Sequence, residues 1–504
     1  MRLILALILT ISAAWATVSQ ATVWEVRPGV GADTNGGGFV TGATGTDFSQ
    51  QNAAQYNAAD LASANGTTNP CTVTSASHNF VAADVGNIIN ISAGTNWTTG
   101  YYQIVSVAAN AATLDRACGS VAALTSGTYA VGGALATVSA AYGGATTQNH
   151  IYIKATGNYT VTATLTLTLS DGTIPFIFEG YTTTRGDRGQ ATWTTSTNSV
   201  HLVTTGATTG YVFKNIIFSS TAGTPGNGIQ TGTAGNANSY LFDNDRFTGL
   251  NIGINGPFST QYYITGLSII NCQFDNCKSH GIINQTWMIH GSWFHDNGGD
   301  GAFCSNQAGI GPIGCSASLS VFSKNTSAGI EIGNLGTSNS RNPHIVNCVL
   351  YKNTGDGIKA SGTTQEGIIA NVVAYGNGGF GVNFATNTGN VNAAAAVANY
   401  SNAYGSNTSG ARTGNFPAGV GDVTLTGDPF ISATNFQTNN TAGAGAALRA
   451  AGFPGVSPMG TGYVDIGALQ HQDSGSGATT TGHTFSMLMG LGFAGLAIAF
   501  LLRK

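Results

Sequence analysis

Between Asn271 and Ala385 one short phrase returns five times, and that return constrains the fold more than any other feature of the chain. The phrase is an apolar residue, then Asn, then Gly four or five positions on with an aliphatic or small neighbour. Its occurrences are Phe274, Asn276 and Gly281; Phe294, Asn297 and Gly301; Phe322, Asn325 and Gly329; Leu350, Asn353 and Gly357; and Ala374, Asn377 and Gly381. The Gly-to-Gly steps are 20, 28, 28 and 24 residues. Self-similarity at that period is the mark of a solenoid, in which a repeat buries its apolar face only when the next one stacks on it.

The content of each period decides between a helical and a β solenoid. Leu267 to Ile270, His344 to Leu350 and Gly367 to Val373 are short, rich in β-branched residues and bounded by Asn, Gly and Ser, which reads as strand. Asn tolerates left-handed backbone angles at a turn, and Gly relieves crowding beyond it. A second register carries Asn three residues before the apolar anchor, at Asn215, Asn244, Asn271, Asn347 and Asn371, with Gly291 and Leu319 in the two turns between. Asn columns of this kind hydrogen-bond from rung to rung at the strand spacing of ~4.8 Å. The fold read from these residues is all-β, a parallel β-helix with Phe274, Phe294 and Phe322 stacked inside it and tapering to Leu350 and Ala374. Asn271, Asn297, Asn325, Asn353 and Asn377 are its expected structural ladder.

This pattern resembles the right-handed parallel β-helix proteins, the pectate-lyase-like group that also includes polygalacturonases and many bacterial surface proteins. The resemblance spans residues 132–415 and speaks for architecture, since the same coil carries enzymes, binding proteins and inert spacers. It implies a helix plugging the open end before the first strand pair, placed here at Gly132 to Gly143, because a first rung otherwise exposes unpaired backbone.

Around that core the chain divides further. Residues 1–21 read as a secretory signal peptide, with Met1 and Arg2 before an apolar run and small residues before the cut. Residues 22–131 do not repeat and read as a small β module, with strands at Val81 to Gly86, Ile88 to Ile91 and Tyr101 to Val107. Residues 416–472 resemble the closing module of secreted bacterial β-helix proteins, with Gly427 to Phe430 and Val464 to Gln470 as its marks. A flexible linker over 473–484 leads to an uncharged apolar run, 485–502, closed by Arg503 and Lys504. That run is long enough for a transmembrane helix and also resembles a sorting helix, although neither Leu-Pro-x-Thr-Gly nor Pro-Glu-Pro precedes it.

Charged residues make up only 8% of the chain and the net charge is −4, so there is no basic field for nucleic acid. A surface of hydroxyls and amides with scattered Tyr and Trp suits polysaccharide or other cell-surface components, with the membrane as a second partner through the C-terminal helix. Cys71 with Cys118 and Cys304 with Cys315 are expected disulfides in an oxidising compartment. Cys272 and Cys348 lie three coils apart, roughly 14 Å at the strand spacing, and are read as small apolar fillers.

The resemblance also implies where chemistry would sit. Hydrolases of this architecture use carboxylates from neighbouring rungs with a His and a basic residue, and Asp243, Asp245, Asp275 and His280 are the candidate catalytic residues. Asp243 and Asp245 alternate, so both are expected on one face of a strand. A lyase would add calcium, for which Asp296 and Asp300 are the candidate oxygen ligands; otherwise no cofactor is expected. His280 with Gly281, and Ile358 with Lys359, match the family motifs in part, but no Asp-Asp pair is present and 78 residues part His280 from Ile358. Arg185, Gly186 and Asp187 spell an adhesion tripeptide. Two functions from different classes follow: a membrane-anchored surface protein presenting a polar face to glycans, and a polysaccharide lyase or glycoside hydrolase. A purely structural surface fibre is the third.

Overall fold

The computed structural model describes residues 21–146, 149–169, 175–205, 210–231, 239–256, 266–284, 286–304, 313–333, 341–361, 367–384, 397–413, 416–449, 451–452 and 465–469. The expected signal peptide, linker and transmembrane or sorting helix lie outside these residues, apart from Ala21. Among the described residues no helix is long and apolar enough to cross a membrane.

Three long sheets form the body. Each coil lays one strand in sheet 1, one in sheet 2 and one in sheet 3, and the same sheet's next strand, one coil on, pairs with it in parallel. The first complete coil is His150–Lys154, Tyr159–Thr160 and Leu165–Leu167, and the tenth is Val397–Tyr400, Ala403–Gly405 and Gly410–Arg412. Register is held without slippage: Phe247 faces Phe274, Phe274 faces Phe294, and Phe294 faces Phe322, each in the middle of its sheet 2 strand.

These aromatic rings stack directly. Centroids from Phe218 through Phe247, Phe274 and Phe294 to Phe322 are 4.7, 4.5, 4.6 and 4.9 Å apart with nearly parallel planes. Such contacts add about 0.5–1.5 kcal/mol each beyond burial. Leu350 and Ala374 continue the column, and the buried Tyr404 follows them.

The recurring Asn is an inward hydrogen-bonding ladder. Asn297 Nδ2 donates to Asn325 Oδ1 (2.9 Å), Asn325 to Asn353 (3.0 Å), Asn353 to Asn377 (3.0 Å) and Asn377 to Asn407 (2.8 Å). Each Nδ2 also donates to a carbonyl one coil back, such as Phe294 O for Asn325. Two details differ from the sequence reading. Asn271 is not a rung; it stands in the turn between sheets 1 and 2 with φ 54°. Its expected place is filled by Cys277, whose N–H donates to Asn297 Oδ1 at 3.1 Å, and the fifth rung is Asn407. Nor do the ladder Asn residues take the left-handed angle. The residue before each one does: Asp296, Lys324 and Lys352 have φ of 55°, 55° and 52°. Asn276 occupies that position, which is why its spacing from Phe274 is one shorter than in the later repeats.

The repeated Gly is required by close approach, not by φ. A Cβ on Gly301 would lie 2.6 Å from Gly329 O, and one on Gly357 would lie 2.5 Å from Gly381 O. In the second register Asn215, Asn244, Asn271, Gly291, Leu319, Asn347 and Asn371 all have φ between 50° and 60°; the rung-to-rung bond expected of its Asn residues is made from Asn244 Nδ2 to Asn215 Oδ1 at 2.8 Å but does not reach Asn347 Oδ1.

Both ends of the coil are stoppered. The helix is Val138–Gly144, N-capped by Thr137, and its Tyr142 packs on Phe176 with centroids 5.4 Å apart. At the far end Phe416 stacks on Phe384 at 5.1 Å. Residues 22–131, read as a small β module, fall into two parts. Thr22–Val26 pairs in parallel with the first coil and belongs to sheet 1, whereas Tyr56–Ser63 through Leu124–Val131 close a six-stranded barrel with its own core. Val81 to Gly86, read as strand, holds the 3-10 turn Ala82–Asp84.

Cys71 is bonded to Cys118 inside the barrel and Cys304 to Cys315 between two coils, as expected. Cys272, Cys277 and Cys348 are free and buried. The closing segment does not simply extend the axis. Leu425, Phe430, Phe436, Leu448, Ile466 and Ala468 fold back over the outer face of sheet 2 and bury Val321, Val349, Tyr351, Val373, Tyr375 and Ala403.

Candidate functional site

Residues flanking the stacked Phe column on each sheet 2 strand point outward, because side chains alternate across a strand. Over the last coils these positions are apolar and covered by the closing segment. Over the fourth, fifth and sixth coils they are mostly polar and, apart from the buried Asp275, partly exposed: Arg246 and Thr248, Gln273 and Asp275, Trp293 and His295. Parallel register sets Arg246, Gln273 and Trp293 in one row, and Thr248, Asp275 and His295 in the next.

Arg246 reaches across one coil and grips Asp275 with two bonds, Nε to Oδ1 at 2.8 Å and Nη2 to Oδ2 at 2.9 Å. Thr248 Oγ1 and Asn276 Nδ2 donate to the same Oδ2 at 2.7 and 2.8 Å. Burial raises the Asp275 pKa, but these donors outweigh it and hold the carboxyl below its ordinary range. From the strand that carries Asp275, Gln273 reaches the next coil, where its Nε2 lies 2.9 Å from His295 Nε2. An amide nitrogen only donates, so that ring nitrogen accepts, and Nδ1 carries the proton toward Asp296 Oδ2 at 2.6 Å. Trp293 stacks on His295 with centroids 3.9 Å apart, and its Nε1 donates to Ser323 Oγ at 3.0 Å.

The remaining candidate residues are not brought to this place. Asp243 faces outward at the end of its sheet 1 strand, 3.4 Å from Arg188 Nη2. Asp245 faces inward and is buried, its Oδ1 accepting the Ile216 N–H at 2.7 Å. The alternation that would have aligned the two is broken by Asn244, whose φ of 60° turns the chain between sheets. Burial pushes the Asp245 carboxyl well above the usual range. It occupies an inner corner column with Cys272, Ser292 and Ser320, where each side chain accepts a main-chain N–H from the coil before. His280 lies in the turn before sheet 3, accepting the Asp300 N–H at Nδ1 (3.0 Å) with Asp300 Oδ2 3.1 Å from the same atom. The four expected catalytic residues thus occupy a sheet 1 face, the interior, a sheet 2 face and a turn, and form no common centre.

The two candidate calcium ligands also part. Asp296 is engaged by His295, while Asp300 is buried and accepts the Ala328 N–H at 2.8 Å. No group of three or more His, Cys, Asp or Glu placed to hold a metal occurs among the described residues. The donor set does not fit calcium. The adhesion tripeptide is likewise tied down: Arg185 is bound by Glu25 at 2.8 Å and Asp47 at 3.2 Å, and it lies over the Tyr152 ring.

Arg246, Gln273, Trp293 and His295 were not singled out from sequence. The signal was present, since each sits one residue from a Phe of the stacked column, where outward placement follows from the column itself.

The three sheets and their common register define a parallel β-helix with one outer face partly covered and partly open and polar. Among solved structures the chain is similar to pectate lyase Pel9A, with 16% identity over 67% of this chain and 92% of that one and a TM-score of 0.43. It is also similar to the Azotobacter vinelandii mannuronan C-5 epimerase AlgE4 A-module, with 11% identity, 56% and 89% coverage and a TM-score of 0.33. The catalytic domain of a GH87 alpha-1,3-glucanase gives 12% identity, 81% and 96% coverage and a TM-score of 0.32. No family model matches the chain, and no curated protein sequence matches it.

Proposed function

We propose that this is an exported, surface-held β-helix protein that binds carbohydrate along the open half of sheet 2. The supporting observation is the juxtaposition of Gln273 on the fifth coil with Trp293 and His295 on the sixth, beside the Arg246 and Asp275 pair that joins the fourth coil to the fifth. A sugar offers hydroxyls that both donate and accept and a face of C–H bonds, and this strip offers fixed amide, imidazole and guanidinium groups next to an indole. Arg246 is already neutralised by Asp275, so the strip is not built for a dense polyanion. The two disulfides support an oxidising compartment. Retention at the membrane through residues 485–502 is part of the same proposal and rests on their sequence.

The test is a glycan array probed with the full chain and with Trp293→Ala and Gln273→Ala. Retention of some glycan by the native chain, with at least tenfold weaker retention by both variants, supports the reading. Absence of any retained glycan overturns it. An enzyme, either polysaccharide lyase or glycoside hydrolase, remains the second reading because His280 lies against the buried carboxylate of Asp300. Release of unsaturated or reducing sugar ends that disappears in His280→Gln would favour it.

A further inference from the structure

The open strip has a wall at one end. From the seventh coil onward the outward residues of sheet 2 are buried, Val349 and Val373 fully and Tyr351 to 1% exposure. The covering segment begins where the polar row stops: Phe436 meets Trp293 edge-on, with centroids 6.0 Å apart at 78°. Behind that contact Tyr351 Oη donates to Asp428 Oδ2 at 2.6 Å, and Phe430 and Phe436 pack on the Tyr351 ring at 5.4 and 5.5 Å. The wall is therefore bonded to the coil beneath it. Toward the N-terminus there is no such wall among the described residues, and the outward positions of the second and third coils are half-buried Thr192, Thr194, Ile217 and Ser219.

We infer that the strip reads the end of a glycan chain and does not grip its middle. This rests on the carbohydrate reading above. A chain laid along sheet 2 advances one coil per ~4.8 Å, close to the length of one pyranose ring. From Thr194 in the second coil to His295 in the sixth there is room for about four or five rings at that spacing. The ring that reaches Trp293 meets Phe436 and stops. A continuing polymer would have to leave the surface there, and only a terminal residue seats fully on the indole.

The probes are length series of two to eight residues derived from galacturonate, starch, cellulose and chitin, measured by calorimetry against the full chain. For a series that binds, each hexamer is compared free, biotinylated at its reducing end, and O-methylated at its non-reducing terminus. The inference expects affinity to level off at about four or five residues and one of the two end blocks, not both, to weaken binding at least tenfold. Phe436→Ala should remove most of that penalty. Phe436→Leu, which keeps the apolar cover and shortens the wall, should remove part of it and guards against loss of the segment's packing. Affinity that keeps rising to eight residues, or equal binding of both blocked forms, overturns end recognition and leaves the carbohydrate reading standing. No binding in any series overturns both.

Discussion

Arg246 and Asp275, one coil apart, form a two-point ion pair whose carboxylate is fully buried beneath a guanidinium that stays 39% exposed. The folded Asp275 pKa is depressed, so its contribution is present above the unfolded value near 4 and is lost as pH falls through the folded one. Asp275→Asn should lower stability by roughly 1–3 kcal/mol at pH 7, with the difference from the native protein fading in acid. Unfolding curves at pH 7, 5 and 3 check this. A constant difference across that range would show that the carboxylate is not held ionised by its neighbours.

Asp245 has the opposite sign. Burial raises its folded pKa, so its favourable contribution is complete below the unfolded value near 4 and is lost as pH rises through the folded one. Its Oδ2 is buried without a partner. Ser292 and Ser320 show what suits this column: each Oγ accepts an N–H from the coil before and donates to the carbonyl two residues back, at 2.9 and 2.7 Å. Asp245→Ser should therefore stabilise the protein at pH 7 by roughly 1–3 kcal/mol, and by less at pH 4. A thermal melt in which the variant unfolds earlier than the native chain at pH 7 contradicts this account.

Removing a ladder rung breaks four bonds at once. Asn325→Leu takes an acceptor from the Asn297 N–H and Nδ2 and a donor from the Phe294 carbonyl and Asn353 Oδ1. The expected loss is about 3 kcal/mol or more. Asn407→Leu, on the last and half-buried rung, should cost less because water reaches it. Equal losses at both positions would argue against a ladder that draws its strength from burial.

Leu319 holds a φ of 50° in the turn where five other coils place Asn. A left-handed angle costs a branched apolar residue about 1–2 kcal/mol, and Asn bears it more easily. Leu319→Asn should raise stability by roughly 1 kcal/mol. An unchanged or lower melting temperature would mean that Leu319 packing outweighs the strain.

The architecture was legible because each coil repeats the same physical demands. Phe274, Phe294 and Phe322 had to coincide once their spacing was seen, and Gly281, Gly301 and Gly329 marked where one main chain presses on the next. The site was less legible for a local reason. A single left-handed residue, Asn244 in one corner and Asn276 or Asp296 in the other, reverses the facing of all that follows, so Asp243 and Asp245 looked aligned and are not. The fold-back of Phe430, Phe436 and Ile466 was hidden as well. Their sequence shows apolar residues but not that the surface awaiting them is the outer row of Val349, Val373 and Tyr375.

The spacing between successive glycines ranges from 20 to 28 residues while the strand register never slips. All variation in length is thus absorbed outside the stacked columns, and one coil is interchangeable with another at its contact surfaces. Such a chain is open to editing by whole turns: duplication or loss of a single coil ahead of Trp293 would lengthen or shorten the polar strip like a rule cut to measure, while the stoppers at either end stay as they are.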